Sequence, residues 1–102
     1  MKLKAAFIFL APNADPRVHR SMVETEAVDL MTVGVTDYKM ASEVAEELVE
    51  QGTAAIELCG GFGNVGVSLV TEAVKGKVPV GVVRFDIHPG LGNKSGDAVF
   101  SK

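Results

Sequence analysis

The chain has 102 residues, of which 47% are hydrophobic and 23% charged, and its formal net charge at pH 7 is −3. The length is typical of one domain, the balance is typical of a folded chain, and the negative charge argues against nucleic acid as a partner. A single cysteine cannot form an internal disulfide, and two scattered histidines, His19 and His88, argue against a metal site.

The apolar start of the chain runs only from Leu3 to Ala11 and leads into Asn13, Asp15 and Pro16. It is shorter than a membrane span and lacks the small-residue cleavage site of a secretory leader. We therefore expect a cytoplasmic protein with no membrane partner.

Four nearly continuous apolar runs predict strands, and segments with helical periodicity lie between them. This alternation is typical of consecutive strand–helix units in a mostly parallel sheet, which makes the chain a single α/β domain over 1–102. The predicted strands span 4–11, 28–35, 53–59 and 79–85.

Two clear helices are predicted between these strands. The first is capped by Asp37 and ends near Gly52, and the second begins near Asn64, buries Leu69 and ends at Gly76. Asp15 followed by Pro16 predicts a third, short or irregular helix within 15–26. The glycine-rich stretch 89–96 is typical of a loop, and 97–101 of a short tail.

Right-handed crossovers give the predicted strands the order 2-1-3-4, as in Rossmann-like or flavodoxin-like domains. The domain would have three layers, with both clear helices on one face and only the short helix on the other. Strand alternation puts Glu57 and Arg84 on that thin face, within reach of an ion pair. The poorly covered face and two open edges predict a homo-oligomer.

Ligands of open parallel sheets bind at the carboxyl ends of the strands, where the loops of this chain carry polar residues. In the run from Cys59 to Asn64, glycines let backbone amides approach an anion, and the following helix end attracts negative charge. We expect a small ligand there, with anions and phosphate esters among the candidates, and the cofactor is left open. The candidate ligand-binding residues are Asn13, Asp37, Gly60, Gly61, Gly63 and Asn64.

Gly61, Gly63 and Gly66 also match the pattern G-x-G-x-x-G, and Asp86 follows about 20 residues later, as in dinucleotide-binding domains. The match lies in the last strand–helix–strand unit, and the remaining chain is too short for a second nucleotide-binding half. Turn and capping geometry explains the same glycines, so both interpretations stand.

Cys59 is a candidate nucleophile, since it lies at a strand end before a helix, with His88 or His19 as its base. Asp86 with His88 forms an alternative acid/base pair. A buried cysteine that only fills space is the commoner case. We therefore favour a small-molecule binding domain, with a small enzyme and a structural subunit of a homo-oligomer as alternatives.

The segments 7–12, 59–64 and 85–90 resemble a family of small bacterial proteins classed only as a domain of unknown function. The resemblance covers most of the chain. It implies no activity, cofactor or catalytic residue.

Overall fold

The computed structural model describes residues 1–101. Its strands are β1 (Leu3–Leu10), β2 (Arg20–Glu24), β3 (Val28–Val35), β4 (Ala55–Leu58) and β5 (Val80–Val82). They form one mixed sheet in the order β2-β3-β1-β4-β5. β3, β1, β4 and β5 run parallel to their neighbours, whereas β2 pairs antiparallel with β3.

The helices are α1 (Tyr38–Glu50), α2 (Asn64–Val74) and the short α3 (Gly96–Phe100), with a 3-10 turn at Pro89–Leu91 before α3. α1 begins as predicted, because the Asp37 side chain accepts the N–H of Met40 at 2.8 Å. It ends at Glu50, and Gly52 follows its C-cap with a φ of 97°, which favours glycine. None of these helices is both long and apolar enough to cross a membrane.

The core lies between the sheet and the helices α1 and α2. Every second residue of the central strands is buried there, since side chains alternate between the faces of a sheet. The strand contribution comes from Ala6, Ile8, Val33, Val35, Ile56 and Leu58, and the helix contribution from Ala41, Val44, Ala45, Leu48, Val70 and Val74.

A short helix was predicted within 15–26, and this is wrong. Asp15 and Pro16 begin only one turn, in which the N–H groups of Val18 and His19 bond to the carbonyl of Asp15. The chain then forms β2, which pairs with the edge of β3 from Arg20 to Glu24. Because β2 itself returns the chain to the amino end of β3, no crossover helix is needed.

The missing helix reduces the predicted three layers to two and makes the sheet five-stranded. β3, β1, β4 and β5 lie side by side in the order expected for the four predicted strands, and β2 is added at the edge. Within residues 1–101, both long helices pack on the same face. The other face, which we call the open face, carries by alternation and register Leu3, Ala5, Phe7, Phe9, Ser21, Val23, Val28, Leu30, Thr32, Gly34, Ala55, Glu57 and Gly81.

The predicted assignment of side chains in the last strand to the two faces of the sheet is also wrong. Glu57 pairs with Gly81, so Val80 and Val82 face the helices and Gly81 the open face. Arg84 forms no ion pair with Glu57, because it contacts Asp86 at 2.7 Å instead. Glu57 is the only charged side chain on the open face as defined above.

Candidate functional site

The carboxyl ends of the parallel strands lie at one edge of the sheet, as predicted. Leu10, at the end of β1, donates its N–H to Sγ of Cys59 after β4 at 3.4 Å. Arg84, after β5, donates to the side-chain oxygen of Asn64 at the start of α2 at 3.0 Å. These contacts join the loops that follow β1, β4 and β5.

The glycine turn between β4 and α2 bonds to side chains of this same chain. The N–H of Gly61 donates to Cys59 Sγ at 3.3 Å, and the N–H of Gly63 donates to the Tyr38 hydroxyl oxygen at 3.0 Å. Amides that were expected to bind an anion therefore have internal partners.

The start of α2 holds an anion supplied by the chain itself, the carboxylate of Asp97. This carboxylate accepts the N–H of Val65 at 3.0 and 3.1 Å, and the N–H of Gly66 lies 3.4 Å from it. Tyr38 donates its hydroxyl hydrogen to the same group at 2.9 Å. Gly63, the N-cap of α2, has no side chain to cap the helix, so Asp97 does so from α3.

Two glycines are required here by close packing of the C-terminal segment. A Cβ on Gly60 would overlap the ring of Phe85, and a Cβ on Gly96 would overlap the carbonyl oxygen of Gly61. The glycine-rich composition of both stretches therefore lets residues 85–100 lie directly on the turn. Close approach of a ligand is not needed to explain it.

Tyr38 is buried between two aromatic rings, with ring centroids 5.6 Å from Phe62 and 5.4 Å from Phe100. The pKa of its hydroxyl is raised to about 12, mainly by burial, while the Gly63 N–H opposes the rise and the neighbouring Asp97 carboxylate adds to it. The hydroxyl is therefore neutral at pH 7 and bridges the turn to α3.

The three predicted catalytic residues lie near the same edge, each with a local partner. Cys59 is partly buried and its sulfur accepts two backbone N–H groups, as described above. Asp86 is exposed and paired with Arg84. Nδ1 of His88 accepts the N–H of Gly90 at 2.9 Å, and its ring packs on Phe85. The alternative base, His19, likewise accepts the N–H of Asp15 at 2.8 Å.

The predicted ligand-binding residues outside the glycine turn have structural roles. Asn13 is exposed and takes a left-handed conformation, with φ of 63°, in the loop after β1. Asp37 caps α1. Asn64 is the first residue of α2, as predicted, and its side-chain oxygen accepts a hydrogen bond from Arg84.

A groove of about 530 Å³ lies beside this edge on the helix side. Both apolar and polar side chains line it. Its lining residues are Asp37, Tyr38, Lys39, Ser42, Val65, Leu69, Phe100 and Ser101. Within residues 1–101, no three histidine, cysteine or acidic side chains are grouped to hold a metal ion.

Comparison with known protein families identifies the family of this chain. The model of a family of unknown function, DUF6506, matches residues 3–98. The chain belongs to DUF6506. No curated protein and no solved structure matches the chain. The expected resemblance to a family of unknown function is thus confirmed, and its bacterial origin stays a prediction.

Sequence reasoning missed two residues that organise this edge of the DUF6506 chain, Tyr38 and Asp97. Tyr38 stands where the pattern predicts only the first residue of α1, and Asp97 where it predicts a tail. Their contact joins positions 59 residues apart in the chain. No local spacing signals such a contact, although the uncapped start of α2 indicates that some group must supply an acceptor.

Proposed function

We propose that this DUF6506 protein binds a small ligand with an apolar body and a negatively charged group in the groove between α1, α2 and α3. The observation that carries the proposal is the composition of the groove. Val65 and Leu69 are 44% and 42% exposed there, so they leave apolar surface that the core does not use. Sites for small molecules combine such surface with a few polar groups and measure about 300–1,000 Å³.

The charge of the proposed ligand follows from the polar lining residues. Lys39 is the cation among the lining residues, and Ser42 adds a hydroxyl one helical turn further along α1. The carboxylate of Asp37 is occupied by the N–H of Met40, which reduces its repulsion of an anion. A carboxylate or phosphate ester would meet Lys39 and Ser42 while its apolar part covers Leu69 and Phe100.

The groove replaces the glycine turn as the proposed place of binding. The amides of Gly61, Gly63 and Val65 already have acceptors within the chain. A ligand at the turn would have to displace Asp97, whereas a ligand in the groove leaves it in place. The proposal therefore keeps the ligand class expected from the sequence. It places the ligand in the groove between α1, α2 and α3 and not at the glycine turn.

Binding is better supported than catalysis by Cys59, His88 and Asp86. A nucleophile needs a base within hydrogen-bond reach. Nδ1 of each histidine accepts a backbone N–H of its own turn, and Asp86 bonds to Arg84. None of these contacts links a base to the sulfur of Cys59.

The test is a titration of the ¹⁵N-labelled chain with phenyl phosphate, phenylacetate and inorganic phosphate, followed by NMR. We expect the two aromatic anions to shift the amides of Lys39, Ser42 and Leu69, and Lys39→Ala to weaken this binding about tenfold through loss of the charged contact. Lys77→Ala, which removes an exposed lysine outside the groove, is the matched control. The proposal would be contradicted if neither aromatic anion shifted these amides. It would also be contradicted if Lys39→Ala and Lys77→Ala bound the anions equally well.

A further inference from the structure

We infer that two copies of this chain associate through the open face of the sheet. Parallel strands are normally covered on both faces, because their side chains are apolar on both. Here four strands pair in parallel, yet within residues 1–101 both long helices lie on the same side. The open face is therefore the side of the sheet that neither long helix covers.

The composition of the open face matches a buried layer better than a solvated one. Its centre is formed by Phe7 and Leu30, partly buried side chains on the adjacent strands β1 and β3, and Phe9 lies nearer the carboxyl edge with its ring against Gly34. Its margins expose more apolar surface, with Leu3 at 47% and Val23 at 55%. Such a continuous apolar patch is rare on a chain that stays monomeric in water.

The apolar surface continues past the last strand. The sequence predicts a strand over 79–85, whereas β5 spans only Val80–Val82. Val83, next along the chain, still donates its N–H to the carbonyl of Leu58 and is 45% exposed. By alternation its side chain adds to the open face beside Gly81.

The area of the face fits a dimer of moderate affinity. At about 3.3 Å per residue and about 4.8 Å between strands, the five strands present roughly 450 Å² per copy. Two copies would bury about 900 Å², and the side chains beyond the strands add to this. That total lies below the about 1,200–2,000 Å² of stable interfaces and in the range of weak, transient ones, so we expect a dimer that forms only at micromolar or higher concentration.

A second copy fits this face better than a partner selected by charge. Apolar surfaces are complementary to themselves, and a two-fold axis applies the same patch twice. Two sheet faces stack about 10 Å apart with their side chains interdigitated. The single charge, Glu57, lies one strand away from the central β1. A two-fold axis along β1 therefore keeps the two carboxylates about 10 Å apart, two strand spacings.

Sedimentation velocity from about 1 to about 300 μM tests the inference. We expect the wild-type chain to pass from monomer to dimer in this range, and Phe7→Lys to weaken the dimer at least about tenfold by placing a charge at its centre. Val23→Lys changes a side chain that is already exposed, so it keeps the test valid if Phe7→Lys fails to fold. Glu57→Leu should tighten the dimer by removing the one buried charge.

Leu69→Lys is the matched control, because it puts the same charge on an exposed leucine of the ligand groove. It should leave the dimer unchanged, and Val23→Lys should leave binding in the groove unchanged, so the two proposals fail separately. A wild-type chain that is monomeric at every concentration would overturn the inference and leave the face to another protein. Association that Leu69→Lys abolishes and Val23→Lys does not would overturn it too.

Discussion

The glycine turn at the carboxyl edge and the open face of the sheet differ in whether their groups have partners within the chain. At the turn, each of the amides of Gly61, Gly63 and Val65 has an acceptor from the chain itself. On the open face, Phe7 and Leu30 lie on adjacent strands, and within residues 1–101 both long helices pack on the opposite face. The glycine run has the sequence pattern of a binding site, although its amides already have partners. The open face has no sequence motif, although neither long helix covers its apolar side chains.

The contrast shows that a glycine-rich turn before a helix has two explanations of equal physical standing. Glycine lets any group approach the backbone closely, and that group can belong to a ligand or to another segment of the chain. Here Asp97 supplies the negative charge that the start of α2 attracts. What distinguishes the two explanations is a contact distant in sequence.

Among changes at the glycine turn and the segment packed on it, Gly96→Ala should lower the free energy of unfolding most. Its Cβ would overlap backbone at Gly61, which cannot move aside as a side chain can, so we expect a loss of about 1–3 kcal/mol in the free energy of unfolding. Urea denaturation followed by circular dichroism measures this. Gly81→Ala is the control, because the new methyl group would meet only ordinary contacts on the open face. Equal stability of both variants would contradict tight packing of α3.

Asp97→Ala should cost somewhat less, about 1–2 kcal/mol, because it removes the acceptor of Val65 N–H and Tyr38 O–H without creating an overlap. Urea denaturation again gives the value. The control is Asp86→Ala, whose carboxylate is 77% exposed and bonds to Arg84. We expect less than about 0.5 kcal/mol for the control. If Asp86→Ala lowers the free energy of unfolding as much as Asp97→Ala does, the Asp97 carboxylate does not stabilise the start of α2.

Ionisation of Tyr38 gives a prediction on pH. It is the only tyrosine of the chain, so ultraviolet absorbance reports its titration directly. In the folded chain the midpoint should lie at about 12, and in urea near the ordinary value of 10.0. Because folding disfavours the ionised form, stability is full below pH about 10 and decreases as the pH rises toward about 12. A folded-state midpoint near 10 would show that the hydroxyl is not buried.

Val23→Thr should give the smallest effect, less than about 0.5 kcal/mol in a dilute sample where the chain is monomeric. The side chain lies on the open face and is 55% exposed, so little of it is lost from a core. Val70→Thr, in the fully buried core, is the contrasting variant and should cost far more, since it buries a hydroxyl. Similar costs at both positions, measured by urea denaturation, would mean that the open face is covered within one chain.

Local sequence signals predicted the elements whose structure depends on neighbours in the chain. The span 28–35 is a strand with the predicted bounds, and α1 begins at its predicted cap, Asp37. Periodicity and capping act over a few residues, so the pattern is complete in the sequence. Leu69, expected in the core, is 42% exposed, because α2 packs on α1 through the face that carries Val70.

The features that the sequence did not predict depend on contacts distant in the chain. β2 exists because β3 offers it an edge, whereas the local signal at Asp15 and Pro16 predicts a helix. The phase of β5 depends on its register with Glu57, which alternation alone cannot assign. The contact of Tyr38 with Asp97 likewise decides whether the glycine turn is free.

Amide hydrogen exchange at Val65 and Gly66 tests most directly whether the chain itself closes the glycine turn. Both N–H groups lie in the first turn of α2, where no carbonyl of the helix can accept them, and the Asp97 carboxylate is their acceptor. We predict slow exchange in the wild-type chain, fast exchange in Asp97→Ala and no change in Asp86→Ala. Fast exchange at both amides in the wild-type chain would contradict the account.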